Sequence, residues 1–163
     1  MSQSDTSCYC GSSKSYAKCC QPYHLGDVYP ATPEALMRSR YSAYYLANID
    51  YIQETMSGKA SEGFDPVSAA AWAKRLIWIG LKVVHSEMRS SDKGQVEFIA
   101  QFVDGKQLQD IHELSDFSLQ EGRWYYVDGT RCSTKSSEVI SRNTSCPCGS
   151  QKKWKQCHGK YRI

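Results

Sequence analysis

The sequence predicts an α+β fold: helices packed on a curved four-stranded antiparallel sheet, flanked by two small cysteine-rich modules. Three observations predict it. In the 163-residue chain the first half carries apolar residues at helical spacing, the second half alternates them at strand spacing, and one cysteine pattern occurs at both ends.

The N-terminal copy of that pattern reads CYCGSSKSYAKCC and the C-terminal copy CPCGSQKKWKQCH. Aligned without gaps, they agree at Cys8/Cys146, Cys10/Cys148, Gly11/Gly149, Ser12/Ser150, Lys14/Lys152 and Cys19/Cys157, and keep an aromatic at Tyr16/Trp154. The last position is Cys20 in one copy and His158 in the other. An imidazole can replace a thiolate as a metal ligand but cannot form a disulfide, so the swap points to metal. The expected compartment agrees. Met1 to Ser7 is polar with no apolar core, and no run approaches the roughly 18 to 20 apolar residues of a membrane span, so a cytoplasmic protein with reduced thiols is expected. The 40% hydrophobic and 12% aromatic content is enough for a buried core between the modules.

In the C-terminal copy, Cys146 and Cys148 form one arm of the site, and Gly149 is expected to take the positive φ that curls the backbone around a metal. Ser150 reads as the N-cap of one or two helical turns and Gly159 as their C-cap, which returns Cys157 and His158 to the ion. Four protein ligands close a tetrahedral zinc site and leave no open position.

The pattern resembles the SEC-C zinc-binding motif, named for its place at the C-terminus of the SecA translocation ATPase; six fixed positions fall within thirteen residues, twice. The resemblance implies that Cys8, Cys10, Cys19 and Cys20 hold one structural zinc, and Cys146, Cys148, Cys157 and His158 a second, with iron as the alternative metal. It also implies a folding nodule that engages a protein partner or the ribosome, without catalysis at the metal.

Charge separates the two copies. From Ser141 to Ile163 there are six basic residues and no acid, so this tail stays near +5 with its zinc and thiolates counted. From Met1 to Tyr29, Lys14 and Lys18 balance Asp5 and Asp27, and a four-cysteine site makes that end net negative. Lys152, Lys153 and Lys155 are therefore the candidate partner-binding residues, suited to phosphate or an acidic protein surface.

The elements between follow in order. ATPEALMRSRYSAYYLANIDYIQETM opens with Thr32 as N-cap, Pro33 at the first helical position and Glu34 in the first turn, with a second start at Asp50. Another helix is expected from Pro66 to Trp78, capped by Asp65 and ended by Gly80. LKVVHSEMR, QVEFIAQFV, QLQDIHELSDFSL and RWYYVDG then read as four strands, separated by SDKG, DG and EG turns. This order resembles the nuclear transport factor two-like fold, a cone that often encloses a pocket. ATPEALMRSRYSAY and GRWYYVDG further resemble the YchJ family of bacterial proteins, which set such a middle domain between SEC-C motifs. The expected division is 1–29 for the first module, 30–130 for the middle domain, and 131–163 for a linker and the second module.

Proteins of that fold include dehydratases and isomerases with a His or carboxylate inside the cone. The weak catalytic candidates here are His112 and Glu113, which are adjacent on a strand, so only one can face a pocket. Arg38, Arg40 and Tyr126 are the candidate ligand-pocket residues, while Trp72, Trp78 and Trp124 read as core. Cys132 lies outside both motifs with no histidine near it in sequence, and His24 and His85 have no evident partner. Two function classes result. One is a zinc-binding adaptor that docks through its basic C-terminal module while the middle domain forms a homodimer or holds a small ligand. The other is a small-molecule enzyme of the dehydratase or isomerase type whose zinc is only structural.

Overall fold

Alternating β-branched and aromatic residues in the second half form a meander. The computed structural model describes residues 6–133 and 137–161. Strands β1 (Ile77–Met88), β2 (Lys93–Asp104), β3 (Gln107–Gln120) and β4 (Arg123–Arg131) pair antiparallel in chain order. The EG turn between β3 and β4 takes positive φ at both residues, 52° at Glu121 and 81° at Gly122, the geometry whose twist matches a tight hairpin. Register shifts interrupt β1–β2 at Trp78/Gly80 and Val83/His85, and β3–β4 at Asp116/Phe117. Such bulges bend the strands and curve the sheet.

A fifth strand, β5 (Glu138–Val139), lies in the stretch read as a linker. It pairs with β3 at Gln107 and Leu108, whereas β4 pairs with β3 only from Glu113 onward. The first half of β3 thus has a free edge, and β5 covers part of it.

Helices cover the concave face. The four-residue α1 (Gln21–His24) leads to α2 (Pro33–Tyr45), which starts as its sequence predicts: Thr32 Oγ1 accepts from Ala35 N at 3.1 Å, with Pro33 and Glu34 in the first turn. Helix α3 (Ile49–Glu54) is capped by Asn48, whose side chain accepts from Tyr51 N, two residues ahead of the expected start at Asp50. Helix α4 (Pro66–Arg75) is capped by Asp65 but stops before Trp78. Ile77 and Trp78 instead pair with Val103 and Phe102, because a β-branched and an aromatic side chain gain more from the sheet than from another helical turn. Among the described residues no helix is long and apolar enough to cross a membrane.

The main core lies between α2 and the sheet, where Leu36, Met37 and Tyr41 meet Trp78, Val96, Ala100, Phe102, Phe117 and Trp124. Helix α2 is unusual in burying Ser39, Ser42 and Ala43 completely as well. It is covered on two sides, by the sheet and by the N-terminal module, so it lacks a wide polar stripe. Its start is tied to β2 through Gly94, where an added Cβ would lie 2.5 Å from Pro33 Cγ. Gly94→Ala is expected to cost about 1–3 kcal/mol of stability by urea denaturation, the range for overpacking a tight contact; an unchanged midpoint would show that the helix start can slide.

Candidate metal centres and the cone cavity

The repeated sequence folds into the same local structure twice. Cys8 N donates to Lys14 O and Cys146 N to Lys152 O, both at 2.8 Å. Gly11 and Gly149 take φ of 79° and 81°, as the knuckle requires, and Ser13 and Gln151 follow at 69° and 68°. One 3-10 turn then comes in each copy, Tyr16–Lys18 and Trp154–Gln156, before the second pair of donors. Donor atoms of Cys8, Cys10, Cys19 and Cys20 all lie within 4.8 Å of one another, as do those of Cys146, Cys148, Cys157 and His158. Individual separations are 3.7 Å for Cys10–Cys19, 3.6 Å for Cys148–Cys157 and 3.2 Å from Cys146 Sγ to His158 Nδ1. A tetrahedron of sulfurs with zinc bonds near 2.3 Å has edges of roughly 3.8 Å, so both donor sets could hold such an ion. No disulfide links these cysteines.

Two details of the sequence reading change. Ser150 caps no helix: its backbone is followed by a turn in which Lys152 N donates to Ser150 Oγ, and that hydroxyl donates to Cys157 Sγ at 3.4 Å. Ser12 contacts Cys19 Sγ in the same way at 3.1 Å. The serine supports a sulfur, and the turn that follows it in each copy is a short 3-10 piece. Gly159 is likewise no C-cap but lies buried inside a second 3-10 turn, His158–Tyr161. A Cβ there would meet the Trp154 ring at 2.5–2.8 Å, so glycine is needed for close approach.

The copies are seated differently. The first is pressed into α2: Ser42 Oγ donates to Cys20 Sγ at 3.3 Å, Arg38 Nη1 donates to Cys10 O at 2.8 Å, and Tyr9 stacks on Tyr45. Cys8, Cys10 and Cys20 are buried there. His24, which has no evident partner in sequence, joins the module to the helix by contacts with Tyr16 OH at 2.6 Å and Ser39 O at 2.8 Å. The second copy packs Trp154 and Cys146 with Val103 and Ile140, against Ile77, Ile79 and Leu108 of the sheet. Its Cys148 is exposed, and Lys152, Lys153 and Lys155 all face solvent.

Electrostatics follows the burial. Hydrogen bonds from Cys10 and then Cys20 hold the Cys8 thiol far below the usual range, while the same network and burial push Cys20 far above it. A metal that binds there must displace the protons of these buried thiols. In the second copy burial raises Cys146 to about 11 and lowers His158, which keeps the imidazole in the neutral form that ligates.

The curved sheet and α2 line a partly open cavity of about 380 Å³, the interior of the cone. Met37, Tyr41, Trp72, Trp78 and Phe98 form its apolar wall, so Trp72 and Trp78 are both core and lining, whereas Trp124 is buried with its Nε1 donating to Ala31 O. Arg40, Glu113, Ser115, Tyr126 and Arg131 supply its polar side. Glu113 Oε1 accepts from Tyr126 OH at 2.7 Å and Ser115 Oγ at 2.8 Å, and Arg131 Nε lies 3.5 Å from Oε2. Burial, and then Glu113, push the Tyr126 phenol well above the usual tyrosine range, which keeps it a proton donor to that carboxylate. Arg40 lies over the Tyr126 ring at 4.7 Å and donates to Ile52 O and Thr55 Oγ1. Gly129 makes room for this group, since a Cβ there would overlap Glu113 and Tyr126.

Arg38 does not join them. Two residues before Arg40 on α2, it points away from the cavity to Cys10 O and to Glu34, 3.0 Å away. His112 faces away as well, because adjacent strand residues take opposite faces, and its Nε2 meets Glu97 Oε1 at 2.8 Å. His85 contacts Glu87 at 3.5 Å. Cys132 does have a histidine beside it, His112, which donates no sequence signal because it comes from another strand. The sequence reading also missed Ser115 and Arg131, two ordinary strand residues with no motif around them.

Comparison with known proteins agrees with this geometry. Residues 32–129 match the family described as YchJ, middle NTF2-like domain, and residues 142–160 match the SEC-C motif. A UPF0225 protein of Serratia proteamaculans (strain 568) is 42% identical over 163 residues, covering 94% of this chain and 97% of that protein. The crystal structure of a SEC-C motif containing protein from Psychrobacter arcticus is similar with a TM-score of 0.69 and 34% identity, over 97% of this chain and 98% of that one. The solution structure of a SEC-C motif containing protein from Rhodopseudomonas palustris is similar with a TM-score of 0.72 and 40% identity, over 78% of this chain and 100% of that one. The chain therefore belongs to the UPF0225 family, with a YchJ-type NTF2-like middle domain and a C-terminal SEC-C motif.

Proposed function

We propose that this protein is a cytoplasmic, zinc-stabilised adaptor that docks on the ribosome through its C-terminal SEC-C nodule. The observation that carries the reading is the seating of that nodule. Trp154 is buried against the sheet, while Lys152, Lys153 and Lys155 beside it are exposed in a stretch with no acid. Such a rigidly held cluster of lysines suits the phosphates of ribosomal RNA. Cys8, Cys10, Cys19 and Cys20 hold one ion in this reading, and Cys146, Cys148, Cys157 and His158 the other. Zinc fits both sets by donor chemistry, and bound there it supplies folding energy and no reaction, because protein fills every position.

The cavity supports a second reading, in which the cone holds a small ligand and Glu113 serves as its charged or proton-accepting contact. In its favour stands a carboxylate kept on the wall of an otherwise largely apolar space. Against proton transfer stands the set of groups already engaging Glu113, namely Tyr126, Ser115 and Arg131.

Elemental analysis is expected to find that the two cysteine clusters together account for two zinc ions per chain, one of which is lost in a Cys146→Ser/Cys148→Ser variant; unchanged metal content in that variant would remove the assignment. Chelator extraction should be biphasic. The exposed second site is expected to empty first, and the slow phase should disappear in Cys8→Ser/Cys10→Ser. Cosedimentation with ribosomes is expected to fall steeply as salt rises, because counterion release couples each phosphate contact to salt, and to fall further when Lys152, Lys153 and Lys155 are replaced with Ala. Binding indifferent to both salt and those lysines would contradict the docking reading.

A further inference from the structure

Strand alternation places Glu113 in the cavity and His112 on the opposite, outer face. His112 is opposite Ile99 in the β2–β3 register, so Glu97, two residues back along β2, is its diagonal neighbour on the same outer face. Beyond the end of β4, Cys132 N donates to His112 O at 2.8 Å, which sets Cys132 across from the histidine on the other side. One carboxylate, one imidazole and one thiol thus converge from three neighbouring segments. Their donor atoms all lie within 4.8 Å of one another, and all three residues are partly buried.

We propose that Glu97, His112 and Cys132 form a third metal site, separate from both SEC-C nodules and open to solvent. The triangular arrangement carries the assignment. In a nucleophilic relay the acid and the thiol lie on opposite sides of the imidazole ring, farther from each other than either is from it. Here Glu97 also approaches Cys132 directly, as ligands around one ion do. Zinc bonds near 2.0–2.3 Å set tetrahedral edges of roughly 3.3–3.8 Å, so about 1 Å of side-chain movement closes the site. The Glu97–His112 contact of 2.8 Å opens slightly as the ion takes its place. A thiolate, an imidazole and a carboxylate together suit a borderline divalent ion such as zinc or cobalt, not magnesium or calcium. Cys132 loses its proton to solvent when the ion binds. Three protein ligands leave a fourth position for water or a small ligand, unlike either SEC-C cluster.

The test uses the full chain with its SEC-C sites loaded, with zinc as the added probe. Alkylation of Cys132 by iodoacetamide, followed by mass spectrometry, is expected to slow at least about tenfold when zinc is present, because the free thiolate is the nucleophile. Protection is expected to vanish in His112→Gln and to weaken in Glu97→Gln. In Cys132→Ser, a small change at a partly buried position, zinc titration is expected to lose one equivalent relative to the parent and keep the other two. A Cys132 that reacts equally fast with and without zinc would overturn the proposal, as would an unchanged stoichiometry in Cys132→Ser. The nodule variants that test ribosome docking leave these three residues intact, so the two readings fail independently.

Discussion

Helix α2 is buried from two sides, and most of the molecule is arranged by that constraint. One side presents Met37, Arg40, Tyr41 and Tyr44 to the cone, and the other presents Ser39 and Ser42 to the N-terminal module. Small side chains at those two positions let the module approach: the Ser42 hydroxyl donates to Cys20 Sγ, and the backbone carbonyl of Ser39 meets His24 Nε2. A metal at the first cluster would therefore brace the helix that roofs the cavity. Burial of three of its four cysteines agrees with a structural role, since water and competing ligands have little access.

The duplicated knuckle shows how one local structure serves two ends. Backbone hydrogen bonds, left-handed glycines and the serine-to-sulfur contact are the same in both copies. What differs is the surface each rests on. The first copy is enclosed by α1 and α2, whereas the second lays one tryptophan on the sheet and leaves its lysines in water. In that setting His158 replaces the last cysteine and stacks parallel to Trp154, their rings 6.4 Å apart at 13°. A flat imidazole shares that apolar support by lying parallel to the indole.

Strand β3 supplies two chemically distinct surfaces from consecutive residues. Glu113 enters the cone and is held by two hydroxyl groups and an arginine, while His112 joins Glu97 and Cys132 outside. The bulge at Asp116/Phe117 turns β4 so that Tyr126 and Gly129 face Glu113, and Phe117 seals the interior beside them. The cavity and the outer cluster therefore depend on the same register, and a slip of one residue would exchange their faces.

Local chemistry was legible in the sequence. The repeated knuckle that gathers each cysteine cluster, the cap at Thr32, the four strands and their turns are all set by residues within a few positions of one another, where propensity and hydrogen-bonding reach act directly. Helix α4 was read three residues too long because Ile77 and Trp78 suit both elements, and only a partner strand decides between them. Arg38 and Arg40 look alike in sequence, yet the turn of one helix sends the first to Cys10 and the second to the cone. The Glu97, His112 and Cys132 cluster, β5 on β3, and the seating of each module were decided by tertiary structure alone. They join residues far apart in the chain, and sheet register and two-sided burial of α2, not local spacing, set those distances.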